Sequence, residues 1–574
     1  MRPHVRNGCT SYLATLCAII TFVASVFAAD TTPLDNNTPI NSNILPNSTN
    51  YYEFPLTTIS QSRRDDTEQL DQELEQHYEL RKRQTTSANV YITINTCLQP
   101  ISSDGSQPPQ LTLWVSQSNP SPGPSSTQST QQVVLEQGYA NITLSEIQSD
   151  VFLGISADTF NATSGVWNYE IAASTDQNYH SWDSGLPALY MSDSDPNAAL
   201  LVTQNFSAAI PAGLNSSDVG PQLSLFVQQT NSTNDTAISG LEKSYCGLKM
   251  NARIQGILPD IASGGIETSI TEYGEQIFYV PNLNATSTYT AILARAANTT
   301  SVSPGGGGTV YNTTTFITKK LANCQIIYGL SFCSTVAYAV PANPANFSTM
   351  SALAAQYDNS TWATYQGFNY SLQQIACNTT STAQYSLVKN CDDCAAAYKN
   401  WICAVSIPRC DDWTNPGDSQ YPLYSGAQQV DSNGNAVNYL MPRNAAQPPI
   451  PATANLTMPV TDPTLLNWVA FNSSRNSQVI TNNIAPGPYM EVLPCQDLCY
   501  DLVRSCPAAL GFLCPKTGRG LEWSYGTRRA TADGAVTCNA PGAVWGVSEG
   551  NVGHVNWTLL FLSLLCVATA LIAN

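Results

Sequence analysis

The sequence contains little charge, and positive charge is especially scarce. Charged residues make up 11% of its 574 residues, and 41 acidic residues outnumber 23 basic ones, which leaves a net charge of −18. Binding to the phosphates of a nucleic acid depends on clustered Lys and Arg. The composition therefore argues against a nucleic-acid partner.

Histidine is also scarce. Of the four histidines, only His77, His180 and His554 follow the amino-terminal segment, and none lies near a group of cysteines. This disfavours zinc as the role of Cys391-x-x-Cys394, because zinc sites commonly include histidine. It also leaves no ready Ser-His-Asp set for hydrolysis. We therefore expect neither an enzyme nor a protein that binds a metal or a cofactor.

Long apolar runs occur only at the two ends of the chain. The first, from about residue 13 to 27, follows two arginines and is closed by Ala28 and Ala29. A positive start, an apolar run and small closing residues are typical of a cleaved secretory signal, which we assign to residues 1–28. An uncleaved anchor helix is the alternative.

The second apolar run, residues 557–573, contains no charge and follows small residues and a polar spacer. This order is typical of a glycosylphosphatidylinositol (GPI) attachment signal, which we assign to residues 546–574. We expect attachment at Ser548, with Gly550 or Asn551 as alternatives, on the extracellular face of the plasma membrane, with a pool in the ER. A carboxy-terminal transmembrane helix stays open as the other interpretation.

N-x-[ST] sequons agree with a secreted chain. There are 18 of them between Asn36 and Asn556. One sequon is a weak signal where Asn, Ser and Thr are abundant, but this number on a chain with a secretory signal predicts heavy glycosylation. The sites that we expect to carry N-glycans are Asn141, Asn161, Asn205, Asn215, Asn231, Asn284, Asn298, Asn312, Asn346, Asn359, Asn369, Asn378, Asn455 and Asn472.

Cysteine is abundant, with 17 in the chain. Cys9 and Cys17 lie in the predicted signal and Cys566 in the predicted anchor segment, which leaves an even number, 14, for the body. In an oxidising compartment this favours disulfides over free thiols, although the sequence does not give their connectivity. The expected disulfide cysteines are Cys97, Cys246, Cys324, Cys333, Cys377, Cys391, Cys394, Cys403, Cys410, Cys495, Cys499, Cys506, Cys514 and Cys538.

The stretch PCQDLCYDLVRSCPAALGFLCP (494–515) holds four of these cysteines. Cys495 and Cys499 are four residues apart and Cys506 follows seven later, a spacing that places all three on one face of a helix. We expect a short helix that disulfides tie to its neighbours along that face.

The character of the sequence changes twice along the chain. Residues 29–84 are rich in Asn, Thr and Pro, which predicts a disordered, propeptide-like segment. Lys82 and Arg83 near its end are the expected cleavage site, and an uncut charged helix end is the alternative. Residues 85–315 carry short β-branched and aromatic runs between turn-rich pieces, a pattern typical of one or two β-sandwich domains. Residues 316–545 combine helical spacing with most of the cysteines.

The predicted fold class is therefore α+β and multidomain: a β-sandwich-like first half, then a mostly helical, disulfide-rich domain. SPGGGG (303–308) is interpreted as a flexible link. Cys97 and Cys246 are the only cysteines of the β-rich half, and a disulfide between them is one expectation.

Two pairs of acids raise the question of calcium: Asp193 with Asp195, and Asp411 with Asp412. Carboxylates are ligands that calcium prefers. Acids in loops are more often simply solvated, and we favour that interpretation for both pairs.

Three tryptophans lie among the cysteines: Trp362, Trp401 and Trp413. Packing beside disulfides and anchoring of a partner are both roles of buried or half-buried rings. We favour core packing for each.

Three segments carry a family resemblance: CQIIYGLSFCSTVAYAVPAN (324–343), CDDCAAAYKNWICAVSIPRC (391–410) and PCQDLCYDLVRSCP (494–507). In this order they resemble the fungal stretch-activated calcium channel component, also called the mating-pheromone-induced death protein. The third segment also resembles the cysteine-rich domain of frizzled receptors and the auxiliary subunit of the animal sodium-leak channel. The resemblance covers residues 324–515 closely.

The resemblance implies a glycosylated regulatory subunit of the fungal high-affinity calcium channel, docked on a pore-forming subunit of the voltage-gated type and supporting stretch-, pheromone- and stress-induced calcium entry. It implies a frizzled-like cysteine-rich domain. The sequence disfavours a channel formed by this chain alone, because apolar segments occur only at its ends. A GPI-anchored surface or wall protein with a structural or adhesive role and no channel partner stays open as the second interpretation.

Overall fold

The computed structural model describes residues 31–55, 88–102, 104–126, 130–147, 149–185, 189–203, 223–230, 237–256, 265–270, 275–295, 306–376, 385–386, 388–411, 468–471, 476–487, 489–516, 521–528 and 538–542. Its strands are β1 (Thr31–Pro33), β2 (Ile40–Ile44), β3 (Thr49–Phe54), β4 (Ala88–Leu98), β5 (Ile101–Ser102), β6 (Thr112–Ser116), β7 (Gln131–Val134), β8 (Tyr139–Ile147), β9 (Val151–Ser156), β10 (Ala162–Ser164), β11 (Trp167–Ser174), β12 (Ser181–Asp183), β13 (Leu189–Ser194), β14 (Ala199–Thr203), β15 (Leu223–Gln229), β16 (Ile254–Gly256), β17 (Glu267–Ile270), β18 (Gln276–Val280), β19 (Thr288–Arg295), β20 (Thr309–Ile317), β21 (Cys324–Ile327), β22 (Tyr338–Pro341), β23 (Arg409–Asp411), β24 (Trp468–Phe471) and β25 (Tyr489–Val492). Its α-helices are α1 (Tyr245–Asn251), α2 (Met350–Leu372), α3 (Cys391–Ser406), α4 (Gln496–Ser505) and α5 (Leu521–Ser524), and a π-helix (Ser477–Ile484) and a 3₁₀ turn (Ala508–Leu510) accompany them.

The first β-sandwich consists of two sheets with strand orders β1-β3-β9-β6-β7 and β2-β11-β4-β8. Alternating side chains explain how they pack. In β6, Leu113 and Val115 lie in the shared core, whereas Trp114 between them is only half-buried on the opposite face. Ile92 from the second sheet and Ile155 from the first join the same core.

The amino-terminal boundary predicted from the sequence is wrong for residues 31–54. Strand β3 pairs with β9 and strand β2 pairs with β11, so this segment is built into both sheets and is not disordered. The segment is rich in polar residues and its strands are short, but Tyr52 and Phe54 alternate inward and are buried. Lys82 and Arg83, the predicted processing site, lie outside the described residues.

The second β-sandwich also has two sheets, with strand orders β12-β20-β19-β15-β16 and β13-β14-β18-β17. Leu225 and Leu293 from one sheet meet Leu201 and Phe278 from the other in a common core. The β-rich half thus contains two sandwiches, each with its own core.

Helix α1 lies between the two sandwiches. Ser244 caps it by accepting the N–H of Gly247, and the same hydroxyl donates to the carbonyl of Thr96 in β4 at 2.7 Å. A disulfide joins Cys97 of β4 to Cys246 of the helix. The covalent bond and the cap together fix the helix to the first sandwich.

The predicted flexible link is wrong at Gly306–Gly308, since all three glycines are buried. Gly307 donates its N–H to the carbonyl of Tyr179 at 2.9 Å, and a Cβ added to it would lie 2.4 Å from Cδ2 of His180. Glycine is needed here for close approach of the backbone to a ring, which the sequence pattern alone does not separate from flexibility. Residues 303–305 lie outside the described residues.

The domain boundary expected between residues 315 and 316 also differs from the structure, because it falls inside strand β20. In addition, the core of the second sandwich and the core of the cysteine-rich part share strand β14. Ala199 and Leu201 face the core of the second sandwich, whereas Leu200 lies in the core of the cysteine-rich part. The apolar run ALLVT is typical of a strand buried on both faces. The cysteine-rich part combines helices α2 to α4 with short strands β21 to β25.

Candidate functional site: the helical layer and its junction with the sheets

Helices α2, α3 and α4 form a layer on the cysteine-rich part, and local sequence signals start each of them. Thr349 caps α2 by accepting the N–H of Ala352. Asn390 and Asp393 form a reciprocal capping box at the start of α3. Cys495 occupies the N-cap of α4, and Cys506 its C-cap.

Disulfides hold the layer together. Cys391 at the start of α3 is also disulfide-bonded, whereas Cys377 lies outside the described residues. The bonds between described cysteines are Cys97–Cys246, Cys324–Cys410, Cys333–Cys403, Cys394–Cys506, Cys495–Cys538 and Cys499–Cys514. The expected disulfide-rich character is thereby confirmed.

The predicted helix in the stretch 494–515 is present as α4, and disulfides tie it to other segments. Cys495 bonds to Cys538, Cys499 to Cys514, and Cys506 to Cys394 in α3. Because Cys495 and Cys506 cap the helix, the two ends and the middle of α4 are tied to three different segments. The i, i+4 spacing identified the helix but not this division of partners.

An aromatic cluster fills the space between α2, α3 and the segment after α4. The ring of Phe368 stacks on Tyr398 with centroids 3.7 Å apart and 7° between planes. Trp362 stacks on Tyr365 at 5.7 Å and 18°. The members of the aromatic cluster, each in ring contact with another, are Phe332, Trp362, Tyr365, Phe368, Tyr398, Trp401 and Phe512.

The tryptophans of this region differ in exposure. Trp401 is half-buried and donates its indole N–H to the hydroxyl of Tyr525 at 2.8 Å, in line with core packing. Trp362 lies at the outer edge of the cluster and is 42% exposed. Trp413 lies outside the described residues. The ring of Trp362 packs against Phe332 and Tyr365, as core packing predicts, but part of it is exposed to solvent.

A buried ion group joins the helical part to the second sandwich. Asp193 at the end of β13 accepts from Nζ of Lys319 at 2.5 Å and from Nε of Arg409 at 2.9 Å. The N–H of Ala339 in β22 adds a third donor at 3.0 Å, and Lys319 also donates to the carbonyl of Cys410. We call Asp193, Lys319 and Arg409 the junction triad.

The junction triad is buried, with relative exposures of 5% for Asp193, 7% for Lys319 and 6% for Arg409. Burial alone would raise the pKa of Asp193, but the charges of Lys319 and Arg409 outweigh that effect and hold its pKa below the usual value. The carboxylate is therefore ionised and fully partnered.

Asp195 is buried as well and serves the backbone. It accepts the N–H groups of Asn197 and Ala198 at 2.7 Å and that of Ile326 in β21 at 3.1 Å. Burial raises the pKa of Asp195, against the effect of these three hydrogen bonds. Neither interpretation of Asp193 and Asp195, as solvated acids or as calcium ligands, is correct, because both carboxylates point inward and are satisfied by protein groups.

The second acidic pair is only partly described. Asp411 ends strand β23, which pairs with β25, and Asp412 lies outside the described residues. Within the described part of the chain, no three His, Cys, Asp or Glu side chains are grouped so that they could hold a metal ion. Nor does that part contain a helix with the length and apolar character to cross a membrane.

The predicted glycosylation sites fall into two groups. Seven are described: Asn369 is half-buried, and the exposed ones are Asn141, Asn161, Asn284, Asn312, Asn346 and Asn359. Two of the exposed amides are already used, since Asn284 donates to Gln229 and Asn346 to the carbonyl of Ile484, each at 3.0 Å. The sites outside the described residues are Asn205, Asn215, Asn231, Asn298, Asn378, Asn455 and Asn472, and the anchor candidates Ser548, Gly550 and Asn551 lie there too.

Comparison with known proteins decides the family. The family model described as "Stretch-activated Ca2+-permeable channel component" matches residues 89–544 of this chain. The chain belongs to that family. The resemblance drawn from the three cysteine-containing segments is confirmed, and the match extends it to the parts of the two β-sandwiches that follow residue 88.

Relatives of this channel-component family member come from three yeasts. The stretch-activated cation channel yam8 of Schizosaccharomyces pombe is 36% identical over 408 residues, 70% of this chain and 69% of that protein. The stretch-activated cation channel MID1 of Saccharomyces cerevisiae is 31% identical over 366 residues, 61% of this chain and 58% of that protein. The protein of the same name from Cryptococcus neoformans is 25% identical over 438 residues, 68% of this chain and 63% of that protein.

These names support a channel-associated role and association with a membrane for the chain. Among solved structures, a glycoside hydrolase domain of Endo-D from Streptococcus pneumoniae aligns with 48% of this chain and 32% of that one, at a TM-score of 0.14 and 7% identity. That score is too low to show a common fold.

Proposed function

We propose that the protein is the extracellular regulatory subunit of a fungal high-affinity calcium channel of the voltage-gated type. It docks on the pore-forming subunit and supports stretch-, pheromone- and stress-induced calcium influx. Membership of the channel-component family is the observation that carries this proposal. The printed names of the yeast relatives, which are stretch-activated cation channels, support it.

The outer edge of the aromatic cluster is our candidate for the docking surface. Trp362 presents 42% of its surface. Its neighbour Phe332 in the cluster has Nζ of Lys399 5.4 Å from its ring centroid. Tryptophan is prominent among residues that dominate binding energy in protein interfaces. The stacked ring of Tyr365 and the bond from Cys333 to Cys403 restrain the surface before a partner arrives, which lowers the entropy lost on binding.

Attachment and modification complete the proposal. The chain is held at the extracellular face of the plasma membrane by a GPI anchor at Ser548, Gly550 or Asn551, with a carboxy-terminal helix as the alternative. N-glycans occupy the exposed sequons. Both modifications are inferred from the sequence signals. The anchor predicts that a phospholipase specific for GPI releases the native protein from the membrane, and the glycans predict that glycosidase treatment changes its electrophoretic mobility.

Calcium uptake in a fungal strain lacking the gene tests the function. We would measure high-affinity uptake after pheromone or hypo-osmotic shock, with rescue by the wild type and by Cys499→Ser combined with Cys506→Ser. Uptake that is lost on deletion and restored by the wild type alone supports the proposal. Normal uptake without the gene would reject it and favour the surface or wall protein.

Docking is tested separately from folding. Trp362→Ala should reduce co-purification of the pore subunit at least about thirtyfold, the effect of losing a contact worth about 2 kcal/mol. Tyr370→Ala is the matched control, because Tyr370 is on the same helix and 64% exposed. Equal cell-surface amounts of both variants would exclude a folding defect, and equal co-purification would exclude Trp362 as the docking residue.

A further inference from the structure

A polar groove lies on the first sandwich, far in sequence from the cysteine-rich part. It has a volume of about 740 Å³ and is formed by the outer face of the sheet β1-β3-β9-β6-β7, the loop 119–126 and the turns at 47–49 and 157–159. This volume falls in the range of ~300–1,000 Å³ found for ligand sites. No other feature of the chain described above uses this groove.

Tyr51 of β3 and Ser156 of β9 form the floor of the groove on the outer face of the sheet. Tyr52 faces the core, so its neighbour Tyr51 faces outward, where it pairs across the sheet with Gly154 of β9. Gly154 is in turn paired with Trp114 of β6. The indole N–H of Trp114 donates to Ser156 at 2.8 Å, which fixes the orientation of that ring.

The loop 119–126 is held rigidly over this floor. A Cβ on Gly154 would lie 1.9 Å from the carbonyl oxygen of Pro122, so the glycine is what lets the loop approach the sheet. Asn119 donates its side-chain amide to Ser126 at 2.8 Å, and Ser126 also accepts the N–H of Gly123 at 3.1 Å. A loop tied to itself in this way forms the wall of a binding site before any ligand is present.

The chemistry of the lining selects the ligand. The hydroxyls of lining residues such as Thr49, Ser121 and Ser125 can both donate and accept hydrogen bonds. Tyr51 adds a ring, Asp158 adds the one carboxylate, and the lining contains no Lys, Arg or His. The missing cations disfavour phosphate or another anion, and the polar walls disfavour a lipid.

We propose that this groove binds a neutral saccharide. Sugar hydroxyls match walls that donate and accept, and the apolar C–H face of a sugar ring can pack on Tyr51. Two kinds of saccharide could occupy the groove. One is a neutral polysaccharide outside the cell. The other is a glycan of the chain itself, because Asn47-Ser48-Thr49 is a sequon and Asn47 is an exposed lining residue.

The experiment uses full-length protein purified in detergent from fungal membranes, with particles of β-1,3-glucan, chitin and mannan as probes. The first variant is Asn47→Gln, and its control is Asn141→Gln, which removes a sequon on the other sheet. The second variant is Tyr51→Ala, made in the Asn47→Gln background. Tyr91→Ala is its matched control, because Tyr91 is a half-buried tyrosine in β4 of the other sheet. Melting temperatures verify that every variant is folded.

We expect the Asn47→Gln protein to be retained by at least one polysaccharide, and Tyr51→Ala to weaken that binding at least tenfold while Tyr91→Ala leaves it unchanged. Binding by the wild type as well identifies an external polysaccharide as the occupant. Binding that appears only with Asn47→Gln, or faster hydrogen exchange of residues 119–126 in Asn47→Gln than in the wild type, identifies the chain's own glycan.

Two results would overturn the proposal. The first is no retention by any polysaccharide together with equal hydrogen exchange of residues 119–126 in the wild type and Asn47→Gln. The second is equal weakening of binding by Tyr51→Ala and Tyr91→Ala, which would place the saccharide elsewhere on the protein.

Discussion

The junction triad permits a quantitative prediction, since one buried carboxylate pairs with two buried cations. Asp193→Asn keeps the size of the side chain, removes its charge and directs an amide N–H toward a group that is itself a donor. Removing one partner of a buried ion pair costs about 3–5 kcal/mol. Because Asp193 also accepts the N–H of Ala339, we expect the free energy of unfolding to fall by ~4 kcal/mol. For a cooperative unit of 150–250 residues this lowers the melting temperature by roughly 8–16 °C.

Scanning calorimetry of the purified protein at pH 7 measures this shift. Lys319→Met should cost less, because it leaves Asp193 paired with Arg409. The double variant should be more stable than the sum of the two single losses predicts, as expected for residues in contact. A shift below about 2 °C for Asp193→Asn, or strictly additive losses, would refute the argument that the triad holds the junction.

The same triad predicts a pH dependence. The pKa of Asp193 is lower in the folded protein than the ~3.9 of an unfolded chain. Its contribution to stability is therefore present above the unfolded pKa and is lost as the pH falls through the folded pKa. The difference in melting temperature between the wild type and Asp193→Asn should be constant from pH 7 to 5 and should shrink below about pH 4.

Three further predictions concern the β-rich half and helix α2. Gly307→Ala should destabilise the protein by ~1–3 kcal/mol, because the added Cβ clashes with His180. Gly367→Ala in α2 should stabilise it by up to ~1 kcal/mol, because no atom lies within 4 Å of the added Cβ. Chemical denaturation of the two variants measures both changes in the free energy of unfolding. Replacing Cys97 and Cys246 together by Ser should cost up to ~5 kcal/mol for a bond that spans 149 residues, and unchanged melting would contradict this. Deleting residues 31–54 should abolish secretion, because β3 lies between β1 and β9; normal secretion would show that these strands are dispensable.

Much of the secondary structure was predictable from local pattern. The strands with alternating side chains and the helix at 494–515 follow from their periodicity, and the family resemblance rests on cysteine spacings within 324–515. The two cysteines of the β-rich half had few possible partners, and the structure joins them.

The features that the sequence did not indicate all depend on contacts between distant segments. Asp193 looked like a loop acid because its partners Lys319 and Arg409 are more than a hundred residues away. Gly307 looked flexible because nothing nearby in sequence reveals the ring of His180. Strands β1 to β3 looked disordered because short strands derive their stability from neighbouring strands rather than from their own composition.

The connectivity of the disulfides has a mechanical consequence. A force that enters at Cys538 passes through a disulfide to Cys495, runs along α4 to Cys506 and crosses to Cys394. It then continues along α3 into β23, where Cys410 is bonded to Cys324. This covalent route is much shorter than the peptide chain between its ends. The cysteine-rich part would thus transmit a pull to the second sandwich with little lengthening.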